Sequence, residues 1–146
     1  MKLLKMSDVK YIVVHCAATK PKMDIGIEKI REWHLERGFL DVGYHFVIRR
    51  SGEVEYGRDI TKPGAHARGF NRSSVGVCLV GGVDNFNKPA NNFTNEQFES
   101  LKKVVEALKE SFPNAEVLGH RDLPDVKKAC PSFDVKPWYD KEFNNQ

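Results

Sequence analysis

The sequence has no apolar run approaching the ~18 residues that a membrane-spanning helix requires. Its basic start, MKLLKMSDVK, also lacks the uninterrupted apolar segment of a secretory signal, because Lys5 and Asp8 lie within it. Internal repeats and low-complexity tracts are absent as well. We therefore expect a protein with no membrane span and no signal peptide that is synthesised in the cytoplasm.

Cysteine is scarce, and the three residues Cys16, Cys78 and Cys130 are widely spaced. Their odd number and the lack of a C-x-x-C pair argue against a disulfide framework and fit a reducing compartment. Cys78 lies in the apolar run VGVCLV, so we expect it to be a small core residue of a buried strand. Cys130 instead follows two lysines in the proline-bracketed segment LPDVKKACP, a setting that suits a metal ligand or a nucleophile.

Strong charge is missing too, since the net charge is only +3 at pH 7. No stripe of basic residues with interleaved aromatic residues is present, which argues against a nucleic-acid-binding protein. A chain of 146 residues suits one domain with a single core. We expect residues 1–146 to form a single domain and the protein to be a monomer.

Hydrophobic patterns predict strands and helices in alternation. Two buried strands are predicted at YIVVHC (11–16) and VGVCLVGG (75–82). Amphipathic helices are predicted at IEKIREWHLER (27–37), which Gly38 ends, and from Thr94, which forms a capping box with Gln97, to Pro113.

Two shorter patterns complete the prediction. Residues 44–57 read as a hairpin with a Ser51-Gly52 turn, and AEVLG (115–119) reads as a last short strand. Strands mixed with helices, together with one hairpin, predict an α/β protein with a mixed central β-sheet flanked by helices. Such sheets bind ligands at the carboxyl ends of their strands.

Two histidines occupy matching positions in this scheme. His15 lies at the end of the first predicted strand and His120 at the end of the last, with Cys130 ten residues further on. Two imidazoles and a thiolate suit zinc, and three protein ligands leave a fourth position open, as in catalytic sites. Judged by spacing alone, the alternative is that these three residues do not form a metal site. Cys16 is adjacent to His15, but strand alternation lets only one of the two reach the site.

Several motifs occur together and in order: VVHCAATK, GFLDVGYHFVIRRSGEVEYGRD, GAHARGFNRSSVGVCLVGG, NFTNEQFESL and KACPSFDVKPW. This combination resembles the zinc-dependent N-acetylmuramoyl-L-alanine amidases, in the group that contains the phage lysozymes of amidase type and the peptidoglycan recognition proteins. The resemblance runs from about Tyr11 to Trp138, nearly the whole chain. It implies a mixed sheet flanked by helices, with a substrate groove over one sheet edge.

The resemblance also implies roles for individual residues. Zinc is expected to be held by His15, His120 and Cys130. The catalytic tyrosine of the family corresponds to Tyr44, and its catalytic lysine, two residues before the cysteine, corresponds to Lys128. Because two lysines are adjacent here, a register that selects Lys127 is the alternative.

The remaining histidines have other expected roles. His66, in the loop PGAHARG, resembles a family histidine that lines the substrate groove, and the alternative is an ordinary polar loop residue. His45 follows Tyr44 on a strand, so we expect it in the core or behind the site. His34 lies on a predicted helix, and we expect it to be structural.

The function implied is a peptidoglycan hydrolase that cleaves the amide between N-acetylmuramic acid and L-alanine with one zinc ion per chain, its partner being the muropeptide stem. One alternative is a non-catalytic peptidoglycan-binding module, whose relatives typically lack the cysteine ligand. Another is a partner-regulating module with structural zinc, in which Asp122 or Asp134 is a fourth ligand. Without an export signal, the protein is expected to act on the cell wall after release at lysis, as phage endolysins do, or in wall recycling.

Overall fold

The computed structural model describes residues 8–144, so most of the basic start (residues 1–7) and residues 145–146 lie outside the described range. The strands are β1 (Tyr11–Cys16), β2 (Phe46–Ile48), β3 (Val54–Tyr56), β4 (Ser74–Leu79) and β5 (Glu116–Gly119). The α-helices of the described range are α1 (Ile27–Glu36), α2 (Asn95–Ser111) and α3 (Val135–Phe143). Among these residues, no helix has both the length and the apolar character needed to cross a membrane.

The strands form one five-stranded mixed sheet in the order β3-β2-β4-β1-β5. β1 lies between β4 and β5 and pairs in parallel with both. β2 runs parallel to β4, whereas β3 is antiparallel to β2 and closes the hairpin. The predicted α/β class with a mixed sheet is confirmed.

Helices cover both faces of the sheet, and strand alternation sorts the core between them. Val75, Val77 and Leu79 of β4 pack with apolar residues of α2 on one face. Cys78 points to the other face, where it packs with Ile27 of α1, so its predicted role as a core residue is confirmed. β1 and β4 are therefore buried on both faces of the sheet, as their near-continuous apolar runs predict.

Helix α2 begins as the sequence predicts. The Thr94 side chain accepts a hydrogen bond from the Gln97 backbone N–H at 3.1 Å, and the Gln97 side chain accepts one from the Thr94 N–H at 2.9 Å. The Gln97 amide also donates to the backbone oxygens of Ile48 (3.1 Å) and Val80 (2.8 Å). One fully buried side chain thus caps the helix and joins it to two segments of the sheet.

Two elements differ from the sequence prediction. The hairpin strands β2 and β3 are shorter than predicted, and beyond β2 the Arg50 guanidinium donates to the backbone oxygens of Lys20, Met23 and Asn92. The turn itself is as predicted, with Gly52 at φ +92°. Helix α3 is not in the prediction, since Pro137 interrupts its pattern; a proline within the first turn of a helix is tolerated.

Substitution of Gln97 tests the junction between α2 and the sheet. Gln97→Leu keeps the volume and the helix propensity but removes a donor to the buried oxygens of Ile48 and Val80 and the acceptor of the Thr94 N–H; the Ile48 oxygen keeps its bond from the Val80 N–H. We therefore expect a loss of about 1–3 kcal/mol in unfolding free energy. Urea unfolding followed by circular dichroism measures it. Glu106→Leu, at an exposed position of the same helix, is the matched control and should change stability little. An equal effect of the two substitutions would contradict this role.

Candidate metal centre

Three side chains with metal-binding atoms meet at one edge of the sheet. One ligand atom each from His15, His120 and Cys130 lies within 4.8 Å of the other two. His15 is the penultimate residue of β1, His120 directly follows β5, and Cys130 lies in the segment that leads to α3. The structure therefore brings together the three residues that the sequence suggested as metal ligands.

The parallel pairing of β1 with β5 explains the proximity of the two histidines. Val14 lies opposite Gly119 in the register, so His15 and His120 are the next residues on two neighbouring strands that run the same way. Their ring centroids are 4.5 Å apart. The sequence prediction that strand ends would bring these imidazoles together is confirmed.

Hydrogen bonds to backbone oxygens hold the segment after β5 close to the sheet. The Arg121 backbone N–H donates to the Cys130 oxygen at 2.9 Å, and the Arg121 guanidinium donates to the Ala129 oxygen at 3.3 Å. Further along, the Ser132 hydroxyl donates to the Gly82 oxygen at 2.9 Å. These bonds hold Cys130 beside the end of β1 although ten residues separate it from His120 in sequence.

The two aspartates considered as a fourth ligand have other partners. An Asp122 carboxylate oxygen accepts from the Gly119 backbone N–H at 2.8 Å. Asp134 forms an ion pair with Arg121. Within residues 8–144, the ligand group at this edge contains three residues and no carboxylate. This arrangement leaves a fourth coordination position open, which is the pattern of catalytic zinc sites.

Cys16 lies beside the ligand group without being part of it. Its backbone N–H donates to the Cys130 sulfur at 3.2 Å, a contact that favours the thiolate form of Cys130. The Cys130 thiol also donates to the Cys16 backbone oxygen at 3.8 Å, and the neighbouring Cys16 thiol, followed by burial, raises the pKa of Cys130. Strand alternation predicted that only one of the two adjacent residues would join the cluster, and in the structure that residue is His15.

The second nitrogen of His15 is already engaged. His15 Nε2 lies 2.8 Å from His66 Nδ1, while His15 Nδ1 faces the Cys130 sulfur at 3.9 Å. Burial, and then the neighbouring His66, His120 and Lys128, hold the pKa of His15 well below its usual range. Burial likewise lowers the pKa of His66 to about 3. Both imidazoles are therefore neutral at pH 7, which is the form that binds metals.

Lys128 contributes positive charge to the same site. After burial, the charge of Lys128 is the cause that lowers the pKa of His120, and it also acts on His15. Lys127 makes no such contribution to either histidine. Of the two adjacent lysines, Lys128 is thus the one whose ammonium acts on the ligand group.

Tyr44 lies on the other side of His15. The centroids of the two rings are 5.1 Å apart, and the His34 ring is 5.4 Å from Tyr44. Burial raises the pKa of Tyr44 well above its usual range, so the phenol keeps its proton at neutral pH and can donate it in a hydrogen bond. His34 Nδ1 accepts from the Gly43 backbone N–H at 2.8 Å, which agrees with its predicted structural role.

His45 is buried behind the site, which is one of the two positions that the sequence predicts for it. Its Nδ1 accepts from the Gly76 backbone N–H at 3.0 Å, and its Nε2 donates to the Lys62 oxygen at 2.7 Å. Its ring centroid lies 5.9 Å from that of His66. His45 therefore contacts the surroundings of the ligand group and not the group itself.

Two residues of β4 near the site were missed at the level of sequence. The Ser74 hydroxyl lies 3.2 Å from His66 Nε2, and Gly76 faces the His66 ring. The signal was present in SVGVCL, where small residues (Ser74, Gly76, Cys78) alternate with large apolar ones. Small residues along one face of a buried strand leave room for the aromatic rings that pack there.

Comparison with known proteins identifies relatives of this chain. The family described as N-acetylmuramoyl-L-alanine amidase matches residues 5–133. An endolysin of Klebsiella phage KP32 is 50% identical over 137 residues, which are 94% of this chain and 89% of that protein. The structure of the amidase LysC from Clostridium intestinale aligns with a TM-score of 0.78 at 27% identity, covering 99% and 91% of the two chains. Bumblebee PGRP-SA shares the fold at 20% identity, with a TM-score of 0.79.

Proposed function

Because the chain belongs to the N-acetylmuramoyl-L-alanine amidase family, we propose that it hydrolyses peptidoglycan with one zinc ion held by His15, His120 and Cys130. The bond cleaved is the amide between N-acetylmuramic acid and L-alanine, which joins the glycan strand to the peptide stem. The observation that carries the zinc proposal is the convergence of the three ligand atoms within 4.8 Å at the carboxyl edge of the sheet.

The donor set fits zinc. Two neutral imidazoles and one thiol are borderline-soft ligands, and three of them leave a position for water or substrate. When bound, zinc polarises the scissile carbonyl and lowers the pKa of bound water to about 7. The backbone N–H of Cys16 supports the thiolate that such a ligand must become.

Lys128 and Tyr44 are proposed as the catalytic side chains. Amide hydrolysis places negative charge on the carbonyl oxygen, and preorganised donors at that position lower the barrier. The Lys128 ammonium is suited to this role because its charge already acts on both histidine ligands. Tyr44, a protonated phenol beside His15, supplies a second donor that orients the substrate or the attacking water.

The non-catalytic alternative requires a site without the cysteine ligand, and Cys130 is present. The alternative with structural zinc required a fourth ligand, but Asp122 and Asp134 are bound to Gly119 and Arg121. The predicted contact of His66 with substrate stays a prediction, since both of its ring nitrogens have partners within the protein. The arrangement therefore supports an enzyme better than either alternative.

The setting of the reaction follows from the substrate. We propose that residues 1–146 act as a single, monomeric zinc amidase domain on the cell wall, after release at lysis. The name endolysin, given to relatives about half identical to this chain, supports that setting. The muropeptide stem is the proposed binding partner.

Zinc content tests the ligand assignment. We expect about one zinc ion per chain in the purified protein, and loss of zinc in each of His15→Ala, His120→Ala and Cys130→Ala, measured by elemental analysis. Cys16→Ala is the matched control, because it removes a neighbouring thiol that is not a ligand, and it should retain zinc. Full zinc retention in any of the three ligand variants would refute that ligand.

The bond cleaved is tested by product analysis. Digestion of purified peptidoglycan should release free peptide stems with new L-alanine amino termini and leave the glycan strands intact, as mass spectrometry shows. Cys130→Ala serves as the inactive control. New reducing sugar ends would identify a glycosidase instead, a class that relies on paired carboxylates. In the hairpin, the Glu55 carboxylate accepts a hydrogen bond from the Ile27 backbone N–H at the start of α1.

The two lysines are separated by turnover. Lys128→Ala removes a proposed oxyanion donor and should lower turnover of a soluble muropeptide by about 10²–10³-fold. Zinc content and fold should survive, because lysine is not a ligand. Lys127→Ala is the matched control and should remain close to wild type when rates are normalised to bound zinc. Equal turnover of both variants, or a larger loss in Lys127→Ala, would show that the register is wrong.

A further inference from the structure

A continuous hydrogen-bonded chain runs from His15 away from the metal centre into the protein. His15 Nε2 lies 2.8 Å from His66 Nδ1, His66 Nε2 lies 3.2 Å from Ser74 Oγ, and Ser74 Oγ lies 2.7 Å from the Phe70 oxygen. We infer that His66 and Ser74 are positioning residues that fix the tautomer of His15 and so direct its Nδ1 lone pair at the metal. The inference rests on the proposed zinc ligation by His15.

The direction of the chain follows from its far end. A carbonyl oxygen can only accept, and two acceptors do not approach to 2.7 Å, so the single Ser74 proton lies on the bond to Phe70. Ser74 must then accept from His66, which places the His66 proton on Nε2 and leaves Nδ1 as an acceptor. That acceptor requires His15 to carry its proton on Nε2. The lone pair of His15 Nδ1 is thereby left free on the side of Cys130.

The position of the His66 ring is fixed independently of these bonds. A Cβ at Gly76 would lie 2.7–2.8 Å from three atoms of the ring, closer than real contacts allow, so only glycine admits the ring there. The Asn71 side chain accepts from the backbone N–H groups of His66 and Ala67, both at 2.9 Å. The sheet surface and the loop thus hold the ring against His15 before any metal binds.

This arrangement has a defined consequence for metal binding. Outer hydrogen-bond partners of a metal-binding histidine set its tautomer and orientation, and their loss typically lowers metal affinity about 10–100-fold. Such partners are usually carboxylates or backbone oxygens; a second neutral imidazole can replace them only if its own tautomer is fixed. Ser74 and the Phe70 oxygen supply that restriction.

Four variants test the inference. His66→Phe keeps a ring but removes the acceptor, whereas His66→Asn restores an acceptor oxygen near the position of Nδ1. Ser74→Ala removes the group that orients His66. Ser73→Ala is the matched control, because the Ser73 hydroxyl also contacts the Phe70 oxygen (3.3 Å) and makes no hydrogen bond to His66.

Two measurements are made on each variant. Nitrogen-15 NMR of the imidazoles in zinc-free protein reports which nitrogen of His15 carries the proton, and competition with a chromophoric chelator gives the zinc dissociation constant. We expect wild type, Ser73→Ala and His66→Asn to keep His15 protonated on Nε2 and to bind zinc with similar affinity. His66→Phe and Ser74→Ala should show a mixed His15 tautomer, with zinc affinity about 10–100-fold weaker in His66→Phe.

The outcomes separate this inference from the proposed function. Unchanged His15 tautomer and zinc affinity in both His66→Phe and Ser74→Ala would overturn the inference, as would failure of His66→Asn to restore what His66→Phe loses. If His66→Phe does not fold, Ser74→Ala and His66→Asn decide the question in its place. Wild-type protein that bound no zinc would refute the proposed function, while the tautomer read in zinc-free protein would still decide the inference.

Discussion

Parallel pairing of β1 with its two neighbours is the constraint on which the rest of the structure depends. It places the carboxyl ends of β1, β4 and β5 at one edge, where His15 and His120 become neighbours and the segment after β5 can return with Cys130. The apolar runs of β1 and β4 are buried on both faces, so the register is strongly specified. A shift of the β1 register by one residue would turn His15 to the opposite face of the sheet and separate it from His120 and Cys130.

Of the histidines of the site, His15 is buried and His66 is largely buried, and both are uncharged. Burying charged groups is costly unless they are paired, and the histidines at this edge avoid that cost by being neutral at pH 7. The same neutrality keeps lone pairs available for a metal, so the property that makes the site compatible with the core also makes it a ligand set. Lys128 adds positive charge to this edge, where it lowers the pKa of His120.

Local patterns predicted much of the fold, and contacts between distant segments account for what was missed. The strands, the cap of α2 at Thr94 and the neighbouring positions of His15 and His120 depend on periodicity and strand direction, which are legible in sequence. The bonds that His66 makes with His15 and Ser74 depend on a loop that folds across the sheet, and no periodicity encodes that path. The roles of Tyr44 and Lys128 came from family resemblance, because a tyrosine on a strand and a lysine in a loop are otherwise ordinary.

The candidate ligands are anchored in two different ways, and this determines how freely the length of the loop between His120 and Cys130 can change. His15 belongs to β1, an inner strand of the sheet, and its ring is held from behind by His66. Cys130 is instead tied at the end of its loop, by the backbone N–H of Cys16 to its sulfur and by the Arg121 N–H to its oxygen. The number of residues between those ties costs little to change, since loop-closure entropy grows slowly with length. The geometry of the candidate metal centre is therefore set by the tied ends of the loop and not by the spacing of histidine and cysteine in the sequence.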